Sequence, residues 1–434
     1  MQRVLALISQ NTFLKNSLIL FSGTMVVNVL NYVFHLAIGR LVSPTAYGEI
    51  ESLISLLAII TVPAATLTLI ATKYAANLKA SQNVSGLRSL SRYLNRKVII
   101  YGGPIFILVL ILTPWVKDFL NIKESLPVIF LWGVMSFSFL SAVTVGVLIG
   151  WQRFSDVNRI GVSSTILKLI GAVALIQLGY GVSGVAGSLI LAAVLGYVIS
   201  LYLLRKLLLP TPDEKENIEA PEPFSSLKQY ILPAFYGTLA MAILGNADMI
   251  FAKHHLDPVV SGDYGALSVV AKTIFFVTGV LTTVLFAMSA EESGRGKSAY
   301  RTFGLAFLLT AAVASGSTLF FWLFPEFVMQ IFFGAKYLHV SPLLGWFALS
   351  AGIYSLGNLM LQYLLSIHET KTALFFLALS LLEIPLLFFF GVGLYAIIGI
   401  TIVTQIMAVL LGFSFILKKK DHVQARLDSD PGLQ

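Results

Sequence analysis

Four ionisable residues sit where lipid is expected: Lys168, Asp248, Lys272 and Glu383 each fall well inside a long apolar stretch. On insertion scales each costs about 2.5–3.5 kcal/mol at the centre of a bilayer. Together that is roughly 10–14 kcal/mol on the same scale, tolerable only if these groups face one another or water. His35 is a fifth member, less costly than the others. Two lysines have the chemistry to hold an anionic group. Asp248, Glu383 or His35 has the chemistry to carry a coupling proton or sodium ion. Two readings are open at this point. The charges line a hydrated cavity, or they pair structurally, for instance Asp248 with Lys272 on adjacent helices.

Polar neighbours recur at helical spacing. Thr24, Asn28, Asn31 and His35 stand at i, i+4, i+7 and i+11, one stripe of one helix. Gly161, Ser164, Lys168 and Gly171 make a similar stripe, and Ser350, Tyr354, Asn358 and Gln362 a broader one. In an unbroken helix Asn246 and Asp248 are about 200° apart, so the spacing predicts that both cannot point at one cavity. Pro63, Gly102-Gly103-Pro104, Pro233 and Pro385 lie within apolar stretches, where proline frees a carbonyl and bends a helix.

The elements that must position these residues are twelve apolar segments. They lie near 17–39, 50–72, 98–116, 127–150, 160–178, 184–204, 229–252, 263–289, 302–324, 342–366, 373–393 and 395–417; a span needs roughly 20 apolar residues. Hydrophobic residues make up 57% of the chain, charged residues 12%, and mean hydropathy is +0.86. A soluble domain carries about 25% charged residues, so a soluble core is excluded. The expected fold class is an all-α polytopic membrane protein.

Charge sets the orientation. With both termini cytoplasmic, the inside segments hold 22 Lys and Arg and the outside segments five: Arg40, Lys117, Lys123, Lys253 and Lys336. That bias is the positive-inside signature. The net charge of +8 is read as topology, and no nucleic-acid partner is implied. Met1–Asn16 lacks the apolar run of a cleavable signal and fits either a short interfacial helix or a frayed end. With no cysteine, disulfides and thiolate metal sites are excluded.

The chain repeats. Pro44, Gly48-Glu49 and Leu53 return as Pro258, Gly262-Asp263 and Leu267, and Phe21, Gly23 and Thr24 as Phe235, Gly237 and Thr238. Eleven residues are identical over Leu18–Thr68 against Leu232–Thr282 without a gap, where about four are expected by chance. Duplicated membrane halves are a transporter architecture. The expected organisation is a six-helix lobe over 1–204, a cytoplasmic linker over 205–228, a second six-helix lobe over 229–417 and a cytoplasmic tail over 418–434. An even helix count gives both lobes one orientation, related by a pseudo-twofold axis along the membrane normal. At the 214-residue offset His35 meets Met249, Asp248 meets Phe34 and Lys272 meets Ala58. The shared positions are scaffold, and the chemistry sits where the copies disagree.

Other activities lack their motifs. No Gly-rich loop ends in Lys-Ser or Lys-Thr, so no ATPase is indicated. No His/Glu cluster has zinc-protease spacing, no metal site is expected, and no pore-loop filter is present. Gly294-Arg295-Gly296-Lys297 reads as a solvated turn. An enzyme of the membrane glycosyltransferase or polymerase type predicts a long catalytic external loop. The external loops here are short, with Glu49, Glu51, Asp118, Glu124, Asp257, Asp263 and Glu326 spread over several turns. The chain is read as not an enzyme.

Phe21-Ser22-Gly23-Thr24 through Gly39-Arg40-Leu41-Val42-Ser43-Pro44-Thr45-Ala46-Tyr47-Gly48-Glu49 resembles the opening of the polysaccharide-biosynthesis flippases. These belong to the multidrug/oligosaccharidyl-lipid/polysaccharide exporter superfamily. Gly150-Trp151-Gln152-Arg153-Phe154 and the run Gly179–Gly187 carry the same resemblance, which covers essentially the whole chain. It implies a V-shaped pair of lobes around a central cavity that alternates between faces. The implied substrate is a polyprenyl-pyrophosphate-linked oligosaccharide, moved to the outer leaflet of the plasma membrane. Lys168, Lys272 and either Arg40 or Lys73 are the basic residues this sequence offers for the pyrophosphate. Asn28, Asn31 and His35 would line the cavity, and Asp248 and Glu383 would serve ion coupling. No cofactor is implied beyond a coupling proton or sodium ion. The implied partners are membrane lipids and the polysaccharide polymerase machinery. A cation-coupled exporter of small cationic molecules, with the same fold, is the alternative.

Overall fold

The computed structural model describes residues 12–208, 228–294 and 299–429. Among them twelve helical segments are long and apolar enough to cross a membrane, and there is no strand. Large apolar side chains such as Ile99, Ile107, Ile111, Leu308 and Leu410 stand exposed along them, a surface suited to lipid and not to water. The chain forms two compact units, Met1–Ile231 and Leu232–Gln434.

The first unit contains α1 (Thr12–Leu41), α2 (Pro44–Ile60), α3 (Val62–Ala80), α4 (Val84–Ile111), the short α5 (Thr113–Phe119), α6 (Leu126–Gly150), α7 (Phe154–Gln177) and α8 (Gly181–Leu207). Ser43 caps α2 by accepting from the Ala46 amide at 3.3 Å, and Pro44 opens the helix, where its missing N–H costs nothing. The second span breaks at Thr61, just before Pro63. The third apolar stretch begins at Val84, well before the expected 98, and Pro104 lies inside it without interrupting the helix. The closely spaced fifth and sixth segments are separated by a turn in which Gly179 and Gly181 both have positive φ, a backbone that glycine adopts without strain.

α6 is the centre of this lobe, packing on α3, α4 and α8. Gly146 and Gly150 face α3 one turn apart. A Cβ on Gly146 would lie 2.7 Å from the Thr68 carbonyl, and one on Gly150 would lie 2.4 Å from the Thr72 carbonyl. Thr72 donates across this contact to the Gly146 carbonyl at 3.1 Å. Small residues permitting backbone contact are the usual adhesive between helices in lipid. Gly150→Leu sets a gain of about 1 kcal/mol in helix propensity against overpacking strain of about 1–3 kcal/mol, and the strain wins. The variant is expected to melt several degrees lower in detergent, and an unchanged melting temperature would refute tight α3–α6 packing.

The second unit contains α9 (Lys228–Leu244), α10 (Ala247–His255), α11 (Pro258–Gly294), α12 (Tyr300–Leu323), α13 (Pro325–Phe332), a 3-10 turn over Ala335–Leu343, α14 (Leu344–Ser366), α15 (Lys371–Phe390) and α16 (Leu394–Ser429). Here α14 holds the central place, packing on α11, α12 and α16. Pro258 opens α11 as Pro44 opens α2. Pro233 and Pro385 lie inside unbroken helices. The last helix runs past 417 to Ser429. Residues 1–11 of the expected interfacial segment, 209–227 of the linker, 295–297 of the turn and 430–434 of the tail lie outside the described residues.

Candidate functional site

The seventh span is two helices, not one. α9 ends at Leu244, Gly245 and Asn246 form a turn, and α10 starts at Ala247. Asn246 has φ −142°, far from helical. No proline causes this break. Gly245 lies against the Tyr354 ring, where an added Cβ would come within 3.0 Å. Backbone groups loosened at such a break need partners in a bilayer. Tyr354 donates to the Met241 carbonyl at 2.9 Å, and Gln405 Nε2 donates to the Leu244 carbonyl at 3.4 Å.

The break opens a cavity of about 220 Å³ within the second lobe. Asn246 and Asp248 both line it, which corrects the expectation that they could not share one. The 200° separation holds for a continuous helix only, and the turn swings Asn246 round. Lys272 on α11 donates to Asn246 Oδ1 at 3.3 Å. Ser350 donates to Gln405 Oε1 at 2.8 Å. Phe275, Phe276, Phe347 and Tyr354 supply aromatic walls. Lys272 is the only cation among the described lining residues. The cavity thus offers one ammonium, the Asp248 carboxylate, amides and hydroxyls between aromatic faces, a surface that suits a polar ligand.

The suggested Asp248–Lys272 pair does not form. Asp248 Oδ2 instead accepts from the buried Tyr264 hydroxyl at 2.7 Å. Asp248 Oδ1 is buried with no hydrogen-bond partner among the described residues. Glu383 is fully buried on α15 and does not line the cavity. Its Oε1 accepts from Thr404 at 2.9 Å, its Oε2 is buried without a partner among the described residues, and it lies within electrostatic reach of Asp248. Two orphaned carboxylate oxygens in one buried region fit a proton or a small cation, because an unpaired buried charge is costly. Among the described residues no cluster of three or more His, Asp or Glu could hold a metal ion.

The first lobe has its own polar network. Lys168 on α7 donates to Asn31 Oδ1 on α1 and lies 4.2 Å from the centre of the Phe34 ring. His35 Nδ1 meets Glu51 Oε1 at 2.7 Å. Asn28 is half-buried on α1. Arg40 is exposed at the last turn of α1, about 13 Å farther along the axis than Asn31. Glu49 and Glu51 are not loop acids but buried residues of α2. The small residues of the α7 stripe act as packing notches. Gly161 meets Val27 of α1, while Ser164 and Gly171 meet Gly196 and Ser188 of α8.

Glu51 is the candidate site residue that sequence reasoning missed, and a signal existed. His35 and Glu51 stand eight residues either side of Ser43, the hairpin turn. The second lobe repeats the device one register away. Asp248 and Tyr264 are also 16 residues apart across the equivalent hairpin. Glu51 also lies within electrostatic reach of Lys168. Glu51→Gln removes the carboxylate that His35 meets, and losing a hydrogen bond to a charged group costs about 1.5–3 kcal/mol. The expected result is a loss of thermal stability for Glu51→Gln, part of it restored in Glu51→Gln/Lys168→Met. Equal stability of the single variant and the parent would sink the pairing.

The chain has the fold of known transporters. It superposes on an inward-facing multidrug resistance MATE family transporter of the MOP superfamily with a TM-score of 0.69 at 16% identity, covering 93% of this chain and 99% of that one. An outward-facing conformation of a MATE family transporter gives 0.63 at 16% identity, covering 95% and 96%. A MOP superfamily transporter from Pyrococcus furiosus, described as having a binding pocket of reverse polarity, gives 0.56 at 17% identity, covering 93% and 95%. No curated protein matches the sequence. The family model of polysaccharide biosynthesis proteins matches residues 13–292, more than half of the chain. On that match and the twelve-helix, two-lobe fold, the chain belongs to the polysaccharide biosynthesis protein family.

Proposed function

We propose that this protein is an alternating-access flippase carrying a polyprenyl-pyrophosphate-linked oligosaccharide from the cytoplasmic to the outer leaflet of the plasma membrane. Both termini would be cytoplasmic, in keeping with the positive-inside bias. The observation that carries the reading is family membership on a transporter fold. The second-lobe cavity supports a division of labour. Lys272 and Asn246 would hold the pyrophosphate or the first sugar, and the aromatic walls would stack against sugar faces. Lys168, with Asn31 and Asn28, would offer a second polar station, and Arg40 a basic rim. Asp248 and Glu383 would take the coupling proton or sodium ion. Polymerase machinery would receive the flipped product, and the protein itself would make or break no bond.

The test is deletion followed by lipid extraction in a strain with no second flippase for the pathway. Lipid-linked saccharide should accumulate unpolymerised. A normal lipid pool with normal surface polysaccharide would defeat the proposal. One observation favours the alternative, a cation-coupled small-molecule exporter. The buried acids Asp248 and Glu383 give the second lobe more negative than positive groups.

A further inference from the structure

The Gly150-Trp151-Gln152-Arg153-Phe154 segment is built more rigidly than a connecting loop requires. Gly150 is pressed on the Thr72 carbonyl. Trp151 docks against the buried cluster of Ala71, Tyr74 and Val147. Gln152 turns the chain with φ +61°, a conformation unfavourable for a residue with a side chain, and its Oε1 accepts from Lys79 Nζ at 2.7 Å. Beyond the turn, Asp156 is buried and receives Arg153 Nε at 2.6 Å and Arg159 Nη1 at 2.9 Å.

One acid thus orients two guanidinium groups. Arg153 binds Asp156 through Nε alone, and Arg159 through one terminal nitrogen. The remaining N–H groups are free among the described residues, on side chains 42% and 69% exposed. They border a cavity of about 250 Å³, lined also by Gln152, Ser155 and Ile19 of α1. Two arginines against one acid leave the pocket lining with a net positive charge. Forked donors held in fixed orientation match phosphate oxygens.

We infer that this pocket is a phosphate-binding site, separate from the second-lobe cavity, that takes a phosphate group presented by a lipid headgroup or free in solution. It goes beyond the flippase reading and does not depend on it. Asp156, at the pocket wall, acts as a positioning residue: both its oxygens are taken by the guanidiniums that it fixes.

The test is calorimetric titration of the purified full-length protein in a neutral detergent. Two probes are used in separate arms, inorganic phosphate and short-chain dihexanoyl phosphatidylglycerol. Saturable binding of either supports the site, and the arm that binds names the source. Arg159→Gln leaves the Arg153–Asp156 contact intact and should weaken binding roughly ten- to hundredfold. Ser155→Asp, at an exposed lining position, should abolish it by adding a negative charge, so the test does not hang on one variant. No binding in either arm, or parental affinity in both variants, overturns the inference. Because nothing is transported in this experiment, its failure is distinct from failure of the flippase reading.

Discussion

Asp248→Asn is expected to abolish ion-driven transport while leaving the protein folded. Tyr264 can still donate to the amide oxygen, so the 2.7 Å contact that ties α10 to α11 persists. What disappears is a carboxylate able to take up and release a proton or to neutralise sodium. An interaction with a charged group is worth about 1.5–3 kcal/mol, which is roughly 10- to 150-fold in affinity for the coupled ion. The loss should appear as collapse of gradient-driven uptake in proteoliposomes, with gradient-independent exchange retained. Glu383→Gln should act in the same direction, because its unpartnered Oε2 shares the buried region. Gradient-driven transport near the parental rate in both variants would remove the acids from coupling.

Lys272→Ala carries the second large effect, and its sign separates the two readings of function. Hydrogen bonds to charged groups contribute about 1.5–3 kcal/mol, so a pyrophosphate-bearing substrate should bind roughly 10- to 150-fold more weakly. A cationic drug should instead bind better, since the only described cation of the cavity wall has gone. The fold should tolerate the change, because Lys272 holds Asn246 through one bond of 3.3 Å. Binding of a radiolabelled lipid-linked saccharide against a fluorescent cation, on the same preparation, reads both signs. Unchanged saccharide affinity would take Lys272 out of the site.

Much of the fold was legible because lipid imposes simple rules. Twelve apolar stretches and the repeat of Pro44 as Pro258 gave the number of spans and their duplication, and the helices follow both. What escaped was decided by backbone geometry that composition does not record. The break at Gly245–Asn246 has no proline to announce it, whereas Pro104, Pro233 and Pro385 pass through unbroken helices. At the break Gln405 donates to the Leu244 carbonyl, and Tyr354 adds a second donor to the Met241 carbonyl. These two come from α14 and α16, more than a hundred residues away in sequence.

The candidate site was legible as residue types and not as partnerships. Lys168, Asp248, Lys272 and Glu383 stood out because charge in an apolar stretch is expensive. Their partners are Asn31, Tyr264, Asn246 and Thr404, none of them charged. Pairing charge with charge was therefore the wrong rule for Asp248 and Lys272. Each lobe instead holds its lysine with an asparagine and places a polar pair across the same hairpin, one register apart. The two lobes share a scaffold, and the shift of register places different polar pairs in each.

The most direct test reconstitutes the purified protein in liposomes with an ion gradient and two cargoes, a lipid-linked oligosaccharide and a cationic dye. Glycosidase added outside reports the leaflet in which the saccharide resides. The flippase reading predicts protein-dependent, gradient-dependent appearance of saccharide on the far leaflet, with the dye left in place. Movement of the dye while the saccharide stays in its original leaflet would contradict it.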